Sequence, residues 1–335
     1  MRTAFLTGGT GFVGGHVARA LVAEGWTVRL LARDPRRAAG PLLEGLRTQI
    51  VAGSLEDEAA LAAALSGVDA IVHVAGLTKA RTFDEYRHVN ARGTERLVET
   101  GRRVAPDAHF VLISSQAAAG PAREGRPVRD EDPARPISWY GRSKREAEEV
   151  VERGWRGPWT VLRPVVVYGP GDTGLFQYFK MAASGWIPVP AASTRIQLVG
   201  AERAAVAVVR TLGRRELFGR IRFLSDPEPV TLRTLAETVS GHSGRRGRLI
   251  AVPDGLVRVL GAAETALETV TRRSQPFNAD KAREILAGDW LCDGSPLASV
   301  LSLPEPVPMS EGIRAAWAWY RGAGWLPTGP RIGAA

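Results

Sequence analysis

The sequence predicts an α/β protein, a doubly wound parallel sheet followed by a smaller, mostly helical C-terminal lobe. Three observations predict it. Short apolar runs alternate with helical patterns over the first half, a glycine-rich turn joins the first run to the first helix, and the cadence breaks after Tyr168-Gly169-Pro170-Gly171. Strands alternating with helices need crossover connections, which give parallel sheets covered on both faces. At 335 residues the chain exceeds what one core usually organises, so two lobes sharing a cleft are expected.

In chain order, strands are expected at Thr3 to Thr7, Thr27 to Ala32, Thr48 to Ala52, Ala70 to Val74, His109 to Ser114 and Thr160 to Pro164. Helical spacing runs over Val13 to Glu24, Leu55 to Leu65, Glu85 to Val104 and Trp139 to Arg153. Beyond Gly171, Arg195 to Arg210 and then Ile221 to Leu224 read as a strand, a helix and a strand able to rejoin the large sheet. Thr231 to Ser240 and Asp254 to Thr269 read as helices of the smaller lobe, and Ser310 to Trp325 as a capped helix closing it. Residues 1–170 are thus expected to form the sheet domain, with segment 195–225 returning to it, and 171–330 the second lobe. Sheets of this kind bind ligands beyond the carboxyl ends of their strands, where the motifs below lie.

Composition narrows the function. The apolar fraction of 44% and charged fraction of 24% are those of an ordinary globular chain. The net charge of +9 invites anionic partners, yet all but four of the 44 basic residues are arginine, scattered among carboxylates. No basic run or nucleic-acid signature appears, so no nucleic-acid partner is expected. The single cysteine, Cys292, reads as a buried bystander, and no metal is expected. The chain opens without a leader pattern, which sets the expectation of a cytoplasmic protein. Leu256 to Val270 is interrupted by Arg258, Glu264 and Glu268, so it reads as an amphipathic helix, not a span. Its expected role is packing against the smaller lobe; Arg272 and Arg273 at its end leave contact with the inner face of a membrane open.

The turn Thr7-Gly8-Gly9-Thr10-Gly11-Phe12-Val13-Gly14 follows the first strand and opens the first helix. Glycine lets backbone approach a pyrophosphate, and free amides at the helix start complement its charge. Gly8, Thr10, Gly11, Phe12, Val13 and Gly14 are therefore candidate dinucleotide contacts. Arg33 ends the second strand 19 residues past Gly14, where an acidic side chain would take the ribose hydroxyls of NAD and an arginine the 2′-phosphate of NADP. NADP(H) is the expected cofactor, with NAD the lesser alternative because Asp34 comes one residue later.

Tyr140 and Lys144 stand four apart on an expected helix, hence on one face. A lysine cation there is expected to favour the phenolate and lower the tyrosine's pKa. Ser115 follows the strand ending Phe110 to Ile113, and its hydroxyl can orient a carbonyl while Tyr140 moves the proton.

With these motifs the chain resembles the extended short-chain dehydrogenase/reductase superfamily, the NAD-dependent epimerase/dehydratase family, in its dihydroflavonol reductase and 3β-hydroxysteroid dehydrogenase-like branch. Further matching pieces are His73-Val74-Ala75-Gly76, Val89-Asn90-Ala91-Arg92-Gly93-Thr94, and Arg163-Pro164 leading into Val167-Tyr168-Gly169-Pro170. The resemblance implies a Rossmann-type sheet and NAD(P)-dependent oxidoreductase chemistry on CH–OH and C=O groups. It makes Tyr140 the acid/base, Lys144 the holder of the nicotinamide ribose, Ser115 the group orienting the carbonyl and Asn90 a support of the catalytic helix. It adds Ser54, Leu55, Val74, Ala75, Gly76, Pro164 and Val167 to the cofactor contacts. Gly53-Ser54-Leu55 departs from the family's Gly-Asp-Leu, in which the aspartate meets adenine. Gln116-Ala117 replaces the acidic pair of sugar-nucleotide dehydratases and argues against dehydration.

The candidate substrate contacts are Ser115, Gln116, Lys79, Phe176 and Phe179. Their aromatic share points to a bulky, hydrophobic ketone or alcohol, with a 3-keto sphingolipid or ceramide precursor as the specific expectation. The expected activity is NADPH-dependent ketoreduction. Two alternatives stay open: a nucleotide-sugar 4-epimerase with tightly bound NAD, and a non-catalytic NADP-binding subunit or redox sensor. A homodimer is also left open.

Overall fold

Strand and helix alternate through the first lobe of the computed structural model, which describes residues 2–36, 40–191, 193–242, 247–271 and 277–326. Its elements are β1 (Thr3–Thr7), α1 (Phe12–Ala23), β2 (Thr27–Ala32), β3 (Gln49–Ala52), α2 (Glu58–Leu65), β4 (Ala70–His73), α3 (Phe83–Arg87), α4 (Gly93–Val104), β5 (His109–Ile113), α5 (Trp139–Gly154) and β6 (Trp159–Pro164). Then come β7 (Val166–Tyr168), α6 (Thr173–Ser184), β8 (Trp186–Pro190), β9 (Arg195–Ile196), β10 (Leu198–Gly200), α7 (Ala201–Thr211) and β11 (Arg220–Leu224). The chain continues through β12 (Val230–Thr231), α8 (Leu232–His242), β13 (Arg248–Val252), α9 (Asp254–Thr271), α10 (Ala279–Ile285), α11 (Ser295–Val300) and α12 (Met309–Gly322).

Seven strands form one parallel sheet in the order β11-β6-β5-β4-β1-β2-β3. Its strands alternate between two apolar layers. In β1, Ala4 and Leu6 pack on the side of Val17 and Leu21 of α1 and Val208 of α7, whereas Phe5 packs with Leu61 of α2, Leu97 of α4 and Val151 of α5. Each fully buried side chain of this size contributes about 1.5–3 kcal/mol over exposure. The order in which strands are added reverses between β1 and β4, so the crevice at their carboxyl ends is the expected ligand site of a doubly wound sheet.

The smaller lobe has its own core, in which Phe179 of α6, Val239 of α8, Tyr320 of α12 and Ile187 of β8 are buried together. Three two-stranded ribbons line it: β7 with β10, β9 with β12, and β8 with β13. Of the stretch expected to return to the large sheet as two strands, only β11 pairs there. Arg195 to Gly200 is split into β9, which pairs with β12, and β10, which pairs with β7; between them the Gln197 side chain accepts the Cys292 amide at 2.7 Å and donates to the Asp226 carbonyl at 3.1 Å.

Two helices differ from their sequence patterns. The run from Glu85 to Val104 is interrupted at His88–Arg92 by a π-helical turn, whose extra residue re-aims Asn90 toward the interior. Helix α12 begins at Pro308 with no side-chain cap, so its start is set by the fixed proline torsion. No helix of the described residues is long and apolar enough to cross a membrane.

Candidate active site

The crevice is built from β1 outward. Gly8 takes φ +73°, and a Cβ there would lie 2.6 Å from the Ala75 amide nitrogen; at Gly14 it would lie 2.1 Å from the Gly8 carbonyl oxygen. The turn is therefore closed to any side chain at these two positions. Helix α1 starts at Gly11 with no side-chain cap, leaving its first amides to a ligand. Thr10 and Gly11 are exposed at this mouth, with Phe12 and Val13 half-buried beside them. This cradle fits a dinucleotide pyrophosphate.

At the end of β2, Arg33 is exposed and makes no ion pair among the described residues. Asp34 is drawn to Arg36, whose Nε donates to it at 3.0 Å. Arg37 lies outside the described residues. After β3, the Ser54 hydroxyl accepts the Glu56 amide at 3.1 Å, and Leu55 packs against Gly93. Pro164 is buried at the end of β6 opposite Leu224, and Val167 is half-buried in β7.

A hydrogen-bond chain that the sequence reading missed ties the glycine turn to the π-helical turn. The Ala75 amide donates to Thr7 Oγ1 at 3.1 Å, and Thr7 Oγ1 meets His73 Nδ1 at 2.6 Å. His73 Nε2 meets Thr94 Oγ1 at 3.0 Å, and that hydroxyl donates to the Asn90 carbonyl at 2.6 Å. Since Thr94 spends its proton on Asn90, His73 is the donor to Thr94 and accepts from Thr7, a neutral ring protonated at Nε2. Burial, helped by the Lys144 charge, pushes the His73 pKa down to about 3. The only available signal was two threonines and a histidine at strand and helix ends, each unremarkable alone.

Asn90 then holds the active helix. Its Oδ1 accepts the Leu77 amide at 2.7 Å, and its Nδ2 donates to the Leu77 carbonyl at 3.0 Å and to Ser143 Oγ at 2.9 Å. Ser143 in turn donates to the Tyr140 carbonyl at 2.7 Å. A Cβ on Gly76 would stand 3.2 Å from Asn90 Oδ1 and 3.6 Å from Lys144 Nζ, so Gly76, Asn90 and Lys144 meet at the end of β4. Val74 and Ala75 lie half-buried just before them.

Lys144 is buried, and its Nζ donates to the Ile113 carbonyl at 2.7 Å. Burial lowers its pKa to about 8, with Glu148 one turn on acting in opposition. Glu148 is itself wholly buried in a fork from Arg163 at 2.9 and 2.7 Å, with Ser114 Oγ at 2.5 Å and Arg145 at 3.0 Å.

The phenol of Tyr140 differs from its sequence expectation. Burial raises its pKa, the neighbouring Ser115 hydroxyl draws it back, and of the nearby charges Glu284 raises it and Lys281 lowers it. Lys144, engaged with Ile113, is not among these influences. Lys281 comes from α10 in the smaller lobe, where it pairs with Glu284 at 2.9 Å. The same helix supplies Asp280, which accepts the Trp139 amide at 2.9 and 3.0 Å and joins Ser138 in capping α5. Sequence reading missed these three residues because nothing local links them to a tyrosine so far upstream.

On the substrate side, Ser115 caps a short 3₁₀ turn and accepts the Ala117 amide at 3.1 Å. Gln116 is 5% exposed, and its Nε2 has no hydrogen-bond partner among the described residues. A buried unpaired donor costs about 1–3 kcal/mol, which a ligand acceptor would recover. Lys79 is exposed in the loop after β4, close enough to Asp172 at the start of α6 to favour its charged form. Phe176 and Phe179 are not brought to this group. Phe179 is fully buried with Trp317 at 5.0 Å and Tyr320 at 5.6 Å, and Phe176 packs on Tyr320 and Trp325 at 5.3 Å each. Both belong to the lobe core, because α6 turns these two positions toward α12.

Known proteins resemble this chain. A profile of the NAD dependent epimerase/dehydratase family matches residues 4–190. A ceramide reductase of Caulobacter vibrioides is 34% identical over 96% of this chain and 95% of its own. A 4-hydroxy-2-methyl-3-oxo-4-farnesyl-3,4-dihydroquinoline-1-oxide ketoreductase of Stigmatella aurantiaca is 31% identical over 76% of each chain. Among solved structures, MoeE5 in complex with UDP-glucose and NAD superposes with a TM-score of 0.77 at 20% identity, covering 96% of this chain and 99% of its own, a likeness of fold. Family profile and whole-chain identity set aside the non-catalytic alternative. The chain belongs to the NAD-dependent epimerase/dehydratase family of extended short-chain dehydrogenases/reductases and is an NAD(P)-dependent oxidoreductase.

Proposed function

We propose that the protein is an NADPH-dependent ketoreductase acting on a bulky, hydrophobic, lipid-like ketone of the 3-oxo sphingoid or ceramide class. The observation that carries this reading is the group at the carboxyl end of β5: a half-buried tyrosine, a serine hydroxyl beside it and an unpaired glutamine donor next in sequence. The names of the two relatives support the ketone and its lipid character.

Gly8, Thr10, Gly11, Phe12, Val13 and Gly14 would hold the pyrophosphate, and exposed Arg33 the 2′-phosphate, since Asp34 is turned to Arg36. Ser54 and Leu55 would border adenine, Val74, Ala75, Gly76 and Lys144 the nicotinamide ribose, and Pro164 and Val167 the nicotinamide. Bound there, the coenzyme supplies the hydride that the carbonyl carbon takes up. The chain's own task is the oxygen. Ser115 donates to it and fixes its direction, and Tyr140 gives the proton that makes the alcohol. A phenol raised by burial holds that proton at neutral pH, as an acid must. Asn90 keeps α5 in place through Ser143, and Gln116 and Lys79 offer donors to polar groups of the substrate.

The test is NADPH oxidation with a 3-oxo ceramide in the wild type and in Tyr140→Phe. The variant is expected to lose about 10²–10⁴-fold in kcat while binding NADPH as before. Full turnover by the variant, a clear preference for NADH, or interconversion of UDP-sugars without added coenzyme would each refute the reading.

A further inference from the structure

Helix α9 is built inside out. Its inner face carries Val257, Gly261, Thr265 and Glu268, and much of the packing there is polar. Thr265 Oγ1 accepts the Ala279 amide at 2.9 Å, and the 2% exposed Glu268 faces Asn278. Its outer face carries Leu256, Val259, Leu260, Ala263 and Leu267, at the spacing of one helical stripe, and all five are exposed. Val259 is 64% exposed. A surface helix of a soluble lobe normally shows the reverse pattern.

The ribbon feeding α9 through Pro253 has the same character. Trp186 is 52% exposed, paired in register with Arg248, and Ile250, beside Pro188, is 43% exposed. Tryptophan beside arginine is the pairing that suits the boundary between lipid headgroups and acyl chains. Between residues 245 and 273 the sequence has six arginines and three carboxylates, of which Glu268 is buried. Of these arginines, 245, 246, 272 and 273 lie outside the described residues. In sequence this segment has an excess of positive charge, which an anionic lipid surface neutralises and a second copy of the same segment would not.

We propose that the outer stripe of α9, flanked by arginines, docks the protein on an anionic membrane surface, with the leucines and valine entering the headgroup boundary. The placement suits the proposed lipid-like substrate, because α9 packs directly on α10. A Cβ at Gly261 would lie 2.8 Å from the Ala282 side chain, and α10 carries the Lys281–Glu284 pair that acts on Tyr140. The docking helix and the phenol are thus separated by one element.

Binding is read without turnover, so it can fail or succeed independently of the proposed reaction. The full chain is sedimented with vesicles of phosphatidylglycerol and phosphatidylethanolamine, and with vesicles of phosphatidylcholine alone. The expected result is binding to the anionic vesicles that weakens with salt, and a loss of roughly tenfold or more in Leu256→Ser/Val259→Ser/Leu260→Ser. Val259→Glu, a single change at the most exposed position, is expected to weaken binding with thermal unfolding unchanged, which guards against a folding defect. Three outcomes overturn the proposal: no binding by the wild type, binding by both variants equal to that of the wild type, or a dimer of the free protein that the triple variant dissociates, which would make a second copy the occupant.

Discussion

Helix α5 is held in two ways. On the sheet side, Asn90, the Ile113 carbonyl and the Arg163–Glu148 fork grip it through buried groups from one lobe. At its N-terminus the grip comes from α10, where Asp280 lies 141 residues from Trp139 and is joined by the exposed Lys281. The first grip is dry and charge-rich, so it is stiff. The second is part-exposed and crosses between lobes, so it can yield as the lobes adjust to a substrate. The difference predicts rigidity on the β4 and β5 side of Tyr140 and adaptability on the α10 side.

The contrast can be broken most directly at the fork. Glu148→Gln leaves Arg163 buried without a counter-charge, and urea unfolding is expected to show a loss of roughly 3–5 kcal/mol. A cost near that of an exposed pair would place both grips on the same footing.

The pH dependence of the sheet side is the next effect in size. The His73 pKa of about 3 lies below its ordinary 6.5, so the neutral ring's contribution is complete above 6.5 and is lost as pH falls toward 3. The amount is about 1.4 kcal/mol per pH unit. Asp226, raised by burial to about 6, works in the opposite sense. The expectation is therefore read as a difference: between pH 6.5 and 5 the stability of the wild type should fall by roughly 2 kcal/mol more than that of His73→Asn. Parallel pH profiles would remove the neutral ring from the sheet-side grip.

The smallest effect belongs to α10. Asp280→Ala removes an accepting group from the first turn of α5 and is expected to cost about 1 kcal/mol in stability. Because it loosens only the end that carries Tyr140, kcat should drop while the coenzyme dissociation constant stays near the wild-type value. Equal changes in both would contradict the separation of the two sides.

Much of the sheet side was legible in the sequence, because it is specified by residues near each other along the chain. The glycine spacing of residues 8 to 14, the apolar strands and Tyr140 four before Lys144 are short-range patterns that read directly as elements and faces. The break in the Glu85 to Val104 helix was not legible, since a π-helical turn leaves helical periodicity almost unchanged. Phe179 was misplaced for a related reason: aromatic spacing marks an apolar face but not whether that face meets a ligand or α12. Lys281, Glu284 and Asp280 were invisible, because their meaning depends on a lobe packing that no local pattern encodes. The rise in the Tyr140 pKa was not legible either, because burial of the phenol depends on that same packing.

The edge strand β11 has a consequence for biosynthesis. It pairs with β6, yet α6, α7 and four ribbon strands are made between the two. A nascent chain therefore reaches residue 224 before its main sheet is finished, and long-range parallel pairing is slow to form. Until then β6 presents an open edge outside the ribosome, the interval in which a chaperone would matter most.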